Sequence, residues 1–409
     1  MPISYLPQPA NVDGLTAFLR VDANVPIENG EISDDGRIRS FIPTLEALTE
    51  RGCRVLIGSH LGRPDLGWDS NLSIASVAER TENICGKNIP VISAVSGDLV
   101  KTQIEKMRPG EAAFLENLRF DKREASSNPK DRISLAEEWA RDVDLTVSDG
   151  FGVVHRKQAS VFELPKITKS YAGEVIRAEL AVLEQLSGGM NRPYTLVLGG
   201  SKVSDKLGII SRLIPKVDTI AIGGGMAFTF LVAMGYKVGK SIVEESQVKN
   251  VNRILAQAED FGVELVLPTD IVMAEGFFEE ATFVTLPIDS LEAGPHGKDA
   301  VGLDLGEQSA EMIGTKIRDS STVFWNGPMG VFEYPSFASA TRIVAEALAH
   351  LEGLSVVGGG DSASAVRSFG YSESDFSHIS TGGGASLEFL EGKSLPGLEV
   401  LGWKANEPH

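Results

Sequence analysis

The sequence has little cysteine, no long apolar run and no excess of positive charge. Its 409 residues include two cysteines, Cys53 and Cys85, whose spacing fits neither a disulfide scaffold nor a zinc motif. No stretch approaches the roughly 18 apolar residues of a membrane span, and the first residues lack the pattern of a secretory signal. The net charge of −18 disfavours nucleic acid and anionic membranes as partners. We therefore expect a cytoplasmic protein that binds neither.

Several catalytic motifs are also missing. Residues 235–241 resemble a Walker A loop, but three residues rather than four separate the two glycines. The G-x-G-x-x-G fingerprint does not follow any glycine-ended apolar run, which disfavours a nicotinamide dehydrogenase. Neither G-x-S-x-G nor H-E-x-x-H occurs. With two cysteines and six scattered histidines, a transition-metal site is not expected.

What the sequence does contain is a regular alternation of apolar runs and amphipathic segments. The runs do not alternate strictly between apolar and polar residues, which is typical of strands buried on both faces of a parallel sheet. About ten strands favour two sheets over one very wide sheet. The predicted fold class is α/β, with two doubly wound parallel-sheet domains. The predicted strands are 15–21, 54–60, 112–118, 144–151, 194–200, 219–225, 264–270, 322–328 and 354–360.

A helical segment marks the boundary between the two halves. Residues 174–186 carry apolar side chains at helical spacing and are followed by two glycines, Gly188 and Gly189. Glycines after a helix suit both a helix end and a connector between domains. We predict a first domain over 1–173, a connecting helix and hinge over 174–189, and a second domain over 190–390.

Glycine clusters follow the predicted strands of the second half. Glycine lets backbone N–H groups approach an anion closely, and a lysine beside such a turn completes a phosphate site. Lys202 and Lys206 follow the first cluster, and Asp361 and Ser362 follow the third. An aspartate there can hold the magnesium that accompanies nucleotide phosphates. Any one cluster is equally consistent with a tight turn, but together they predict a nucleotide site. The clusters are 199–200, 223–225, 358–360 and 382–384.

The strand ends of the first half carry arginine and histidine instead. Arginine matches phosphate and carboxylate oxygens bidentately, so a small, highly anionic ligand is expected. Taken singly, each arginine is more often a surface residue and each histidine a structural one. Arg37 is expected to lie in a loop. The candidates are Asp22, Asn24, Arg37, His60, Arg63, Arg119, His155 and Arg156.

A magnesium nucleotide on one half and a small anion on the other predict a phosphotransferase whose two sites meet across a cleft. One alternative is a small-molecule kinase with another anionic acceptor, which would depend little on Arg63, Arg119 and Arg156. A second is a non-catalytic nucleotide-binding protein, which would be expected to lack Arg37, Lys202 or Asp361. A dehydrogenase is the third, already disfavoured above.

Nine segments, in order over nearly the whole chain, resemble the phosphoglycerate kinase family. The most specific are WNGPMGVFE at 325–333 and STGGGASLE at 380–388. The others are RVDANVP at 20–26, SHLGRP at 59–64, LENLRF at 115–120, GGSKVSDK at 199–206, GGGMAFTFL at 223–231, LPTD at 267–270 and GGGDS at 358–362.

The resemblance implies two doubly wound domains joined by a helix with a cleft between them, and a tail over 391–409 that returns to the first domain. It implies Mg²⁺-dependent transfer of a phosphoryl group from 1,3-bisphosphoglycerate to ADP, giving 3-phosphoglycerate and ATP in glycolysis. Such enzymes are usually monomeric. The acceptor is a carboxylate with a pKa of about 4, already ionised at neutral pH, so no general base is needed. Closure about the 174–189 hinge would exclude water.

The resemblance also implies roles for particular residues. The Glu333 equivalent holds the ribose, the Asp361 equivalent holds the metal, and the equivalents of Arg37 and Lys202 flank the transferring phosphoryl group. The implied 3-phosphoglycerate site is Asp22, Asn24, Arg37, His60, Arg63, Arg119 and Arg156. The implied nucleotide site is Gly199, Gly200, Lys202, Lys206, Gly223, Gly224, Asn326, Pro328, Glu333, Gly360, Asp361 and Ser362, with the transition-state loop Gly382, Gly383 and Gly384 nearby.

Overall fold

The structure is a computed structural model in which the chain divides into two compact α/β units. The first unit comprises the described residues up to Ala181, with Gly384–Phe389 and the described residues from Lys393 onward. The second comprises the described residues of Val182–Gly383, with Leu390–Gly392. The structure describes residues 3–5, 12–28, 30–64, 67–188 and 191–404.

The first unit is built on a parallel sheet whose central strands are buried on both faces, as the unbroken apolar runs predict. The strands of this unit are β1 (Thr16–Val21), β2 (Ile27–Glu28), β3 (Glu31–Ile32), β4 (Arg54–Gly58), β5 (Val91–Ile92), β6 (Ala112–Leu115), β7 (Leu145–Asp149) and β8 (Lys169–Ala172). The sheet order within the described residues is β5-β6-β4-β1-β7-β8, and β2 and β3 form a separate antiparallel pair. The chain reverses its winding direction between β1 and β7, which is where such sheets bind ligands.

The helices of the first unit cover the sheet, and the first of them begins earlier in the chain than the sequence predicted. They are α1 (Gly36–Glu50), α2 (Ala75–Cys85), α3 (Asp98–Lys106), α4 (Pro129–Ala140) and α5 (Leu164–Ile167). Arg37 was expected to lie in a loop. That expectation is wrong, because Ile38, Phe41 and Leu45 form one buried face at helical spacing and carry the helix back through Pro43. Arg37 therefore lies in the first turn of α1.

Helix α6 (Glu174–Gly188) follows the first unit and contains the predicted segment 174–186. The division between the units falls within it, between Ala181 and Val182. The predicted end of the connector at Gly189 lies outside the described residues.

The second unit holds a parallel sheet and a smaller antiparallel one. Its strands are β9 (Tyr194–Leu198), β10 (Thr219–Ile222), β11 (Glu264–Val266), β12 (Asp270–Ala274), β13 (Phe283–Pro287), β14 (Val301–Leu305), β15 (Thr322–Asn326), β16 (Leu354–Gly358) and β17 (His378–Ile379). In the described residues the parallel order is β11-β10-β9-β15-β16-β17, a doubly wound arrangement that reverses between β9 and β15.

The antiparallel sheet, in the order β13-β12-β14, was not anticipated from the sequence. A single strand was predicted over 264–270, but the run is interrupted at Pro268, which cannot donate a ladder hydrogen bond. The chain therefore leaves the parallel sheet after Val266 and enters the antiparallel one at Asp270.

Most of the remaining helices belong to the second unit and pack on its sheets. A buried cluster that includes Val197, Phe228, Trp325 and Val344 joins strands to helices. Among the described residues, no helix is long and apolar enough to cross a bilayer. The helices of the second unit are α7 (Leu207–Leu213), α8 (Met226–Ala233), α9 (Val248–Phe261), α10 (Glu307–Arg318), α11 (Ser339–Ala349) and α12 (Gly360–Ser368). Two further helices, α13 (Gly384–Leu390) and α14 (Pro396–Glu399), lie almost entirely in segments of the first unit. Two sheet-containing α/β units confirm the predicted fold class.

Candidate active site

In the first unit, the predicted anion-binding residues begin directly beyond β1, at the point where the winding reverses. Asp22 follows β1 and is 9% exposed. The Arg37 guanidinium reaches it from α1, with Nη1 3.2 Å from Asp22 Oδ2 and 3.1 Å from the carbonyl oxygen of Asn24. Burial alone would raise the pKa of Asp22, but the nearby Arg37, His60 and Arg20 hold it below its usual value. Asp22 therefore stays ionised and anchors Arg37.

The loops after β1, β4 and β6 are tied together at Gly62. The amide N–H of Gly62 donates to Asn24 Oδ1 at 2.7 Å. The Arg119 guanidinium donates to the carbonyl oxygen of Gly62. Because Arg63 follows Gly62 directly, these bonds bring the loops that carry Asn24, Arg63 and Arg119 to one place.

His60 is almost fully buried within this cluster. Its Nδ1 lies 3.4 Å from Arg20 Nη2 and 3.9 Å from Asp22 Oδ1. Burial is the main cause that lowers the pKa of His60 to about 3. Asp22 opposes the shift, and the positive charges of Arg20, Arg119 and Arg37 add to it. The ring is therefore neutral at physiological pH.

The remaining arginines of this group act on one another. Burial, together with the nearby positive charges of Arg20, Arg156 and Arg63, lowers the pKa of Arg119 to about 10. Arg63 and Arg156 are exposed, and Arg156 Nε donates to His155 Nε2 at 3.1 Å. Like charges gathered at one end of a sheet attract a small polyanion.

Arg20 is a member of this cluster that the sequence reasoning missed. It lies inside β1, is 1% exposed, and donates from Nε to Ser160 Oγ at 2.8 Å. The candidates predicted from the sequence were residues that follow the strands or lie in loops, whereas Arg20 lies inside a strand. The available signal was a single charged residue within an otherwise apolar, buried strand.

In the second unit, the glycine turns meet beyond β9 and β15. The N–H of Gly199 donates to the Asn326 carbonyl at 3.0 Å, and that of Gly200 donates to the Pro328 carbonyl at 2.9 Å. Gly224 has φ of +60°, and a Cβ there would lie 2.6 Å from the Gly200 nitrogen and 2.7 Å from the Pro328 oxygen. Three backbone segments thus approach closely at a position that only glycine fits.

Side chains extend this arrangement to β16 and α12. The Lys206 ammonium donates to Asn326 Oδ1. The amide nitrogen of Asn326 in turn donates to the Gly358 carbonyl oxygen at 2.7 Å. Ser362 Oγ accepts from the Gly327 N–H at 2.7 Å. Burial lowers the pKa of Lys206, while Asp205, Asp361 and Glu391 oppose the shift.

A cavity of about 350 Å³ opens beside these turns within the second unit. Five predicted nucleotide-site residues line it, namely Gly200, Gly224, Pro328, Glu333 and Asp361. The rest of the lining is largely apolar. The sequence did not predict this apolar wall, because an apolar residue in a chain of unknown fold indicates only that the residue is buried. A polar rim with an apolar wall fits a planar base and its phosphates. The apolar lining includes Phe228, Ile242, Phe277, Leu303, Met329 and Val331.

The structure does not gather every predicted nucleotide residue at this cavity. Lys202 is exposed on the loop between β9 and α7, and the Gly382–Gly384 segment lies between β17 and α13. These residues are not among the described residues that line the cavity. The same holds for Gly199, Lys206, Gly223, Asn326, Gly360 and Ser362.

A larger cavity, of about 590 Å³, lies elsewhere in the first unit. It is lined by Leu45, Cys85, Lys87 and Gln103, and by the residues at the start of β6. Because the carboxyl ends of parallel strands carry the ligand sites, a cavity at the opposite ends of the strands is not a candidate for the chemistry. It contains none of the predicted site residues.

An arginine cluster on one doubly wound unit and a glycine-turn cavity on another indicate a nucleotide-dependent phosphotransferase. The comparisons with known proteins identify which one. A sequence model of the phosphoglycerate kinase family matches residues 8–393, and the chain belongs to that family. Its reaction is reversible phosphoryl transfer from 1,3-bisphosphoglycerate to ADP, which gives 3-phosphoglycerate and ATP in glycolysis. The function predicted from the sequence is thereby confirmed.

Similar proteins cover the whole length of the match. The phosphoglycerate kinase of Clavibacter michiganensis is 54% identical over 391 residues, which are 96% of this chain and 97% of that protein. The one from Leifsonia xyli is 51% identical over 403 residues, or 98% and 100% of the two chains. The solved phosphoglycerate kinase from Coxiella burnetii is 34% identical with a TM-score of 0.83, covering 98% of this chain and 99% of that one.

Proposed function

We propose that the arginine cluster of the first unit binds the phosphoglycerate. Arg63, Arg119 and Arg156 would hold its phosphate, and Asp22, Asn24 and His60 would fix the loops and the polar groups around the rest of the molecule. Arg37, which Asp22 anchors, would face the carboxyl end of that molecule. The single observation that carries this assignment is the crowding of positive charge around Arg119, whose pKa is lowered by burial and by Arg20, Arg156 and Arg63, because a bound anion relieves such crowding.

The glycine turns and the cavity of the second unit are proposed as the nucleotide site. The apolar wall would take the base, Glu333 at the rim would accept from the ribose hydroxyls, and the N–H groups of the turns would approach the phosphates. Lys202 and Lys206 would contribute positive charge. The Gly382–Gly384 segment would supply N–H groups to the transferring phosphoryl group.

The site also fits a magnesium ion held by Asp361. This carboxylate is exposed in the first turn of α12 and lines the cavity beside Gly200. Magnesium is usually held by one or two carboxylates together with substrate phosphates and water, so one carboxylate suffices. When bound, the ion would neutralise phosphate charge.

Transfer would then depend on positioning and charge. The acceptor carboxylate is ionised without a base, so the protein's contribution is to align the two ligands and stabilise the transferring group. Arg37 and Lys202 are proposed to contact its equatorial oxygens. The transfer would be direct, without a covalent enzyme intermediate, and would need the ligands of the two units to meet and exclude water. We further propose that the protein acts as a cytoplasmic monomer.

A coupled assay with 3-phosphoglycerate, ATP and Mg²⁺, each omitted in turn, tests the acceptor and the metal. We expect turnover only with all three. The competing proposal of another anionic acceptor predicts turnover with carboxylates that lack a phosphate and little effect of Arg119→Ala. Arg253→Ala on the surface helix α9 is the matched control. The assignment would be supported if Arg119→Ala lost 3-phosphoglycerate binding and the control Arg253→Ala kept it.

A further inference from the structure

Behind the arginine cluster lies a buried carboxylate that none of the roles above uses. Glu124 is fully buried and lies five residues after Arg119. Its carbonyl oxygen accepts from the Ala159 N–H at 2.9 Å. Its carboxylate accepts from the Ser160 N–H at 3.0 Å and from the Ser160 hydroxyl at 2.5 Å. Glu124 therefore joins the segment that carries Arg119 to the segment that follows Arg156.

The bridging hydroxyl continues this connection into β1. Ser160 Oγ gives its one proton to Glu124 and accepts from Arg20 Nε at 2.8 Å. Burial raises the pKa of Glu124, and the charge of Arg20 and the two hydrogen bonds from Ser160 oppose this shift. Both Glu124 oxygens accept hydrogen bonds from Ser160, which is the arrangement of a charged carboxylate. The negative charge of Glu124 opposes the effect of burial on the pKa of Arg20, so it favours the charged guanidinium.

The same guanidinium determines which His60 nitrogen carries the proton. A guanidinium has no acceptor, so Arg20 Nη2 can only donate to His60 Nδ1, 3.4 Å away. The neutral ring must then carry its proton on Nε2. Asp22, Arg119 and Arg37 are the other charged groups that act on this ring. His60 would thus present a neutral N–H donor rather than an acceptor.

We propose that Glu124 is a positioning residue for the phosphoglycerate pocket. Acting through Ser160, it holds Arg20 in place, and Arg20 in turn sets the tautomer of His60. It also fixes the spacing between the segments of Arg119 and Arg156. This inference rests on the proposed assignment of the arginine cluster to phosphoglycerate, and it assigns to Glu124 no contact with the ligand.

The variant Glu124→Gln tests the proposal. Glutamine has nearly the same shape, but its amide group cannot accept from Ser160 at both positions and carries no charge to balance Arg20. We expect KM for 3-phosphoglycerate to rise about tenfold, the usual effect of losing one charge-assisted hydrogen bond. The kcat and the KM for ATP are expected to stay near those of the unmodified protein.

A second readout follows His60 directly, by ¹⁵N NMR of the histidine side chains. In the unmodified protein we expect the Nε2–H tautomer and no titration between pH 5 and about 8. In Glu124→Gln, Arg20 keeps its hydrogen bond to the Val21 carbonyl but loses the charged partner that orients Ser160 and its own Nε. Its hold on Nδ1 should weaken, so the signals should change towards a mixture of tautomers. This measurement needs no turnover, so it separates failure of the inference from failure of the proposed function.

Glu163→Gln is the matched control. Glu163 is also a buried carboxylate, and its Oε1 lies 3.0 Å from Arg132 Nη2. The variant Glu163→Gln should lower the stability of the protein without changing the KM for 3-phosphoglycerate or the His60 signals. The proposal is overturned if Glu124→Gln behaves in the same way. Should Glu124→Gln not fold, Ser160→Ala, which removes only the bridging hydroxyl, decides the question on the same two readouts.

Discussion

Arg37 is anchored by a buried carboxylate before any ligand binds. Asp22 and the Asn24 carbonyl hold one end of its guanidinium, while about 30% of the side chain remains accessible. A cation that is already oriented stabilises developing charge without reorganising during the reaction. This arrangement suits a residue that acts on the transferring group rather than one that captures substrate.

Replacing Arg37 with alanine should therefore lower kcat much more than it changes either KM. Loss of an arginine that stabilises phosphoryl transfer costs about 10³–10⁵ in rate in other enzymes. Steady-state kinetics with both substrates varied provide the measurement. Arg39→Ala, two residues further along the same helix, is the control, and its kcat should stay near that of the unmodified protein. A near-normal kcat in Arg37→Ala would refute the assignment.

Asp149 ends β7 and is buried against the start of α6. Its Oδ1 accepts from the Val175 N–H at 2.8 Å. Burial raises the pKa of Asp149 to about 7, outweighing the hydrogen bonds from Thr44, Val175 and Ile176. The folded state therefore retains a proton that the unfolded chain releases near pH 4, so this group makes the fold less stable as the pH rises from about 4 to 7.

The variant Asp149→Asn removes this dependence. Asparagine keeps the acceptor for Val175 and carries no charge to bury. Relative to the unmodified protein, it should gain free energy of unfolding as the pH rises from about 4 to 8, by roughly 4 kcal/mol at most. Urea unfolding at several pH values measures this difference. A difference that does not change with pH would contradict the prediction.

At the scale of elements, the strand-to-helix turns of the second unit combine two separate requirements. Gly224 has a positive φ and also lies against the backbone of Gly200 and Pro328. Gly235 has φ of +92° but has no neighbour within 4 Å of an added Cβ. The two positions thus separate the cost of the conformation from the cost of close approach.

Gly235→Ala should cost about 1 kcal/mol of stability and leave KM for ATP unchanged. Gly224→Ala should cost more, because the added methyl forces apart the segments after β9 and β15, and it should raise KM for ATP several-fold. Urea unfolding and steady-state kinetics of both variants measure these effects. Equal behaviour of the two variants would show that close approach at Gly224 does not matter for the nucleotide.

The sequence predicted individual elements best where burial was uniform. Strands such as β1, β7 and β15 are buried on both faces, and their unbroken apolar runs identified them. Strand β13 alternates between exposed and half-buried residues, and nothing in the sequence reasoning identified it. The start of α1 was missed because the polar residues around Arg37 suggested a loop, although the buried face of the helix extends back to Ile38.

At the scale of the whole molecule, net charge and local charge differ in sign. The chain carries −18, yet its first unit gathers arginines closely enough that Arg20, Arg156 and Arg63 help burial to lower the pKa of Arg119. Net charge governs encounters at long range, whereas a bound anion responds to the groups within a few ångströms, since ionic screening acts over about 8 Å. An acidic protein can therefore select an anionic substrate.

If phosphoryl transfer requires closure, the radius of gyration should fall when 3-phosphoglycerate and a non-hydrolysable magnesium nucleotide bind together. Neither ligand alone should give the full change, because each occupies one unit. Small-angle X-ray scattering measures this effect. The variant Arg119→Ala, in which binding of 3-phosphoglycerate should be impaired, should show little change in the radius of gyration under the same conditions. Identical profiles with and without both ligands would exclude closure as part of the reaction.

The sequence by itself determined the α/β class, the glycine turns and most of the arginine cluster, because burial periodicity and residue type are local properties of a chain. Only the tertiary structure decided that Arg20 belongs to that cluster and that Glu124 stands behind it. It also decided which apolar residues line a cavity rather than a core. These features depend on contacts between residues up to 140 positions apart, such as Arg20 and Ser160, and such pairings leave no local pattern in the sequence.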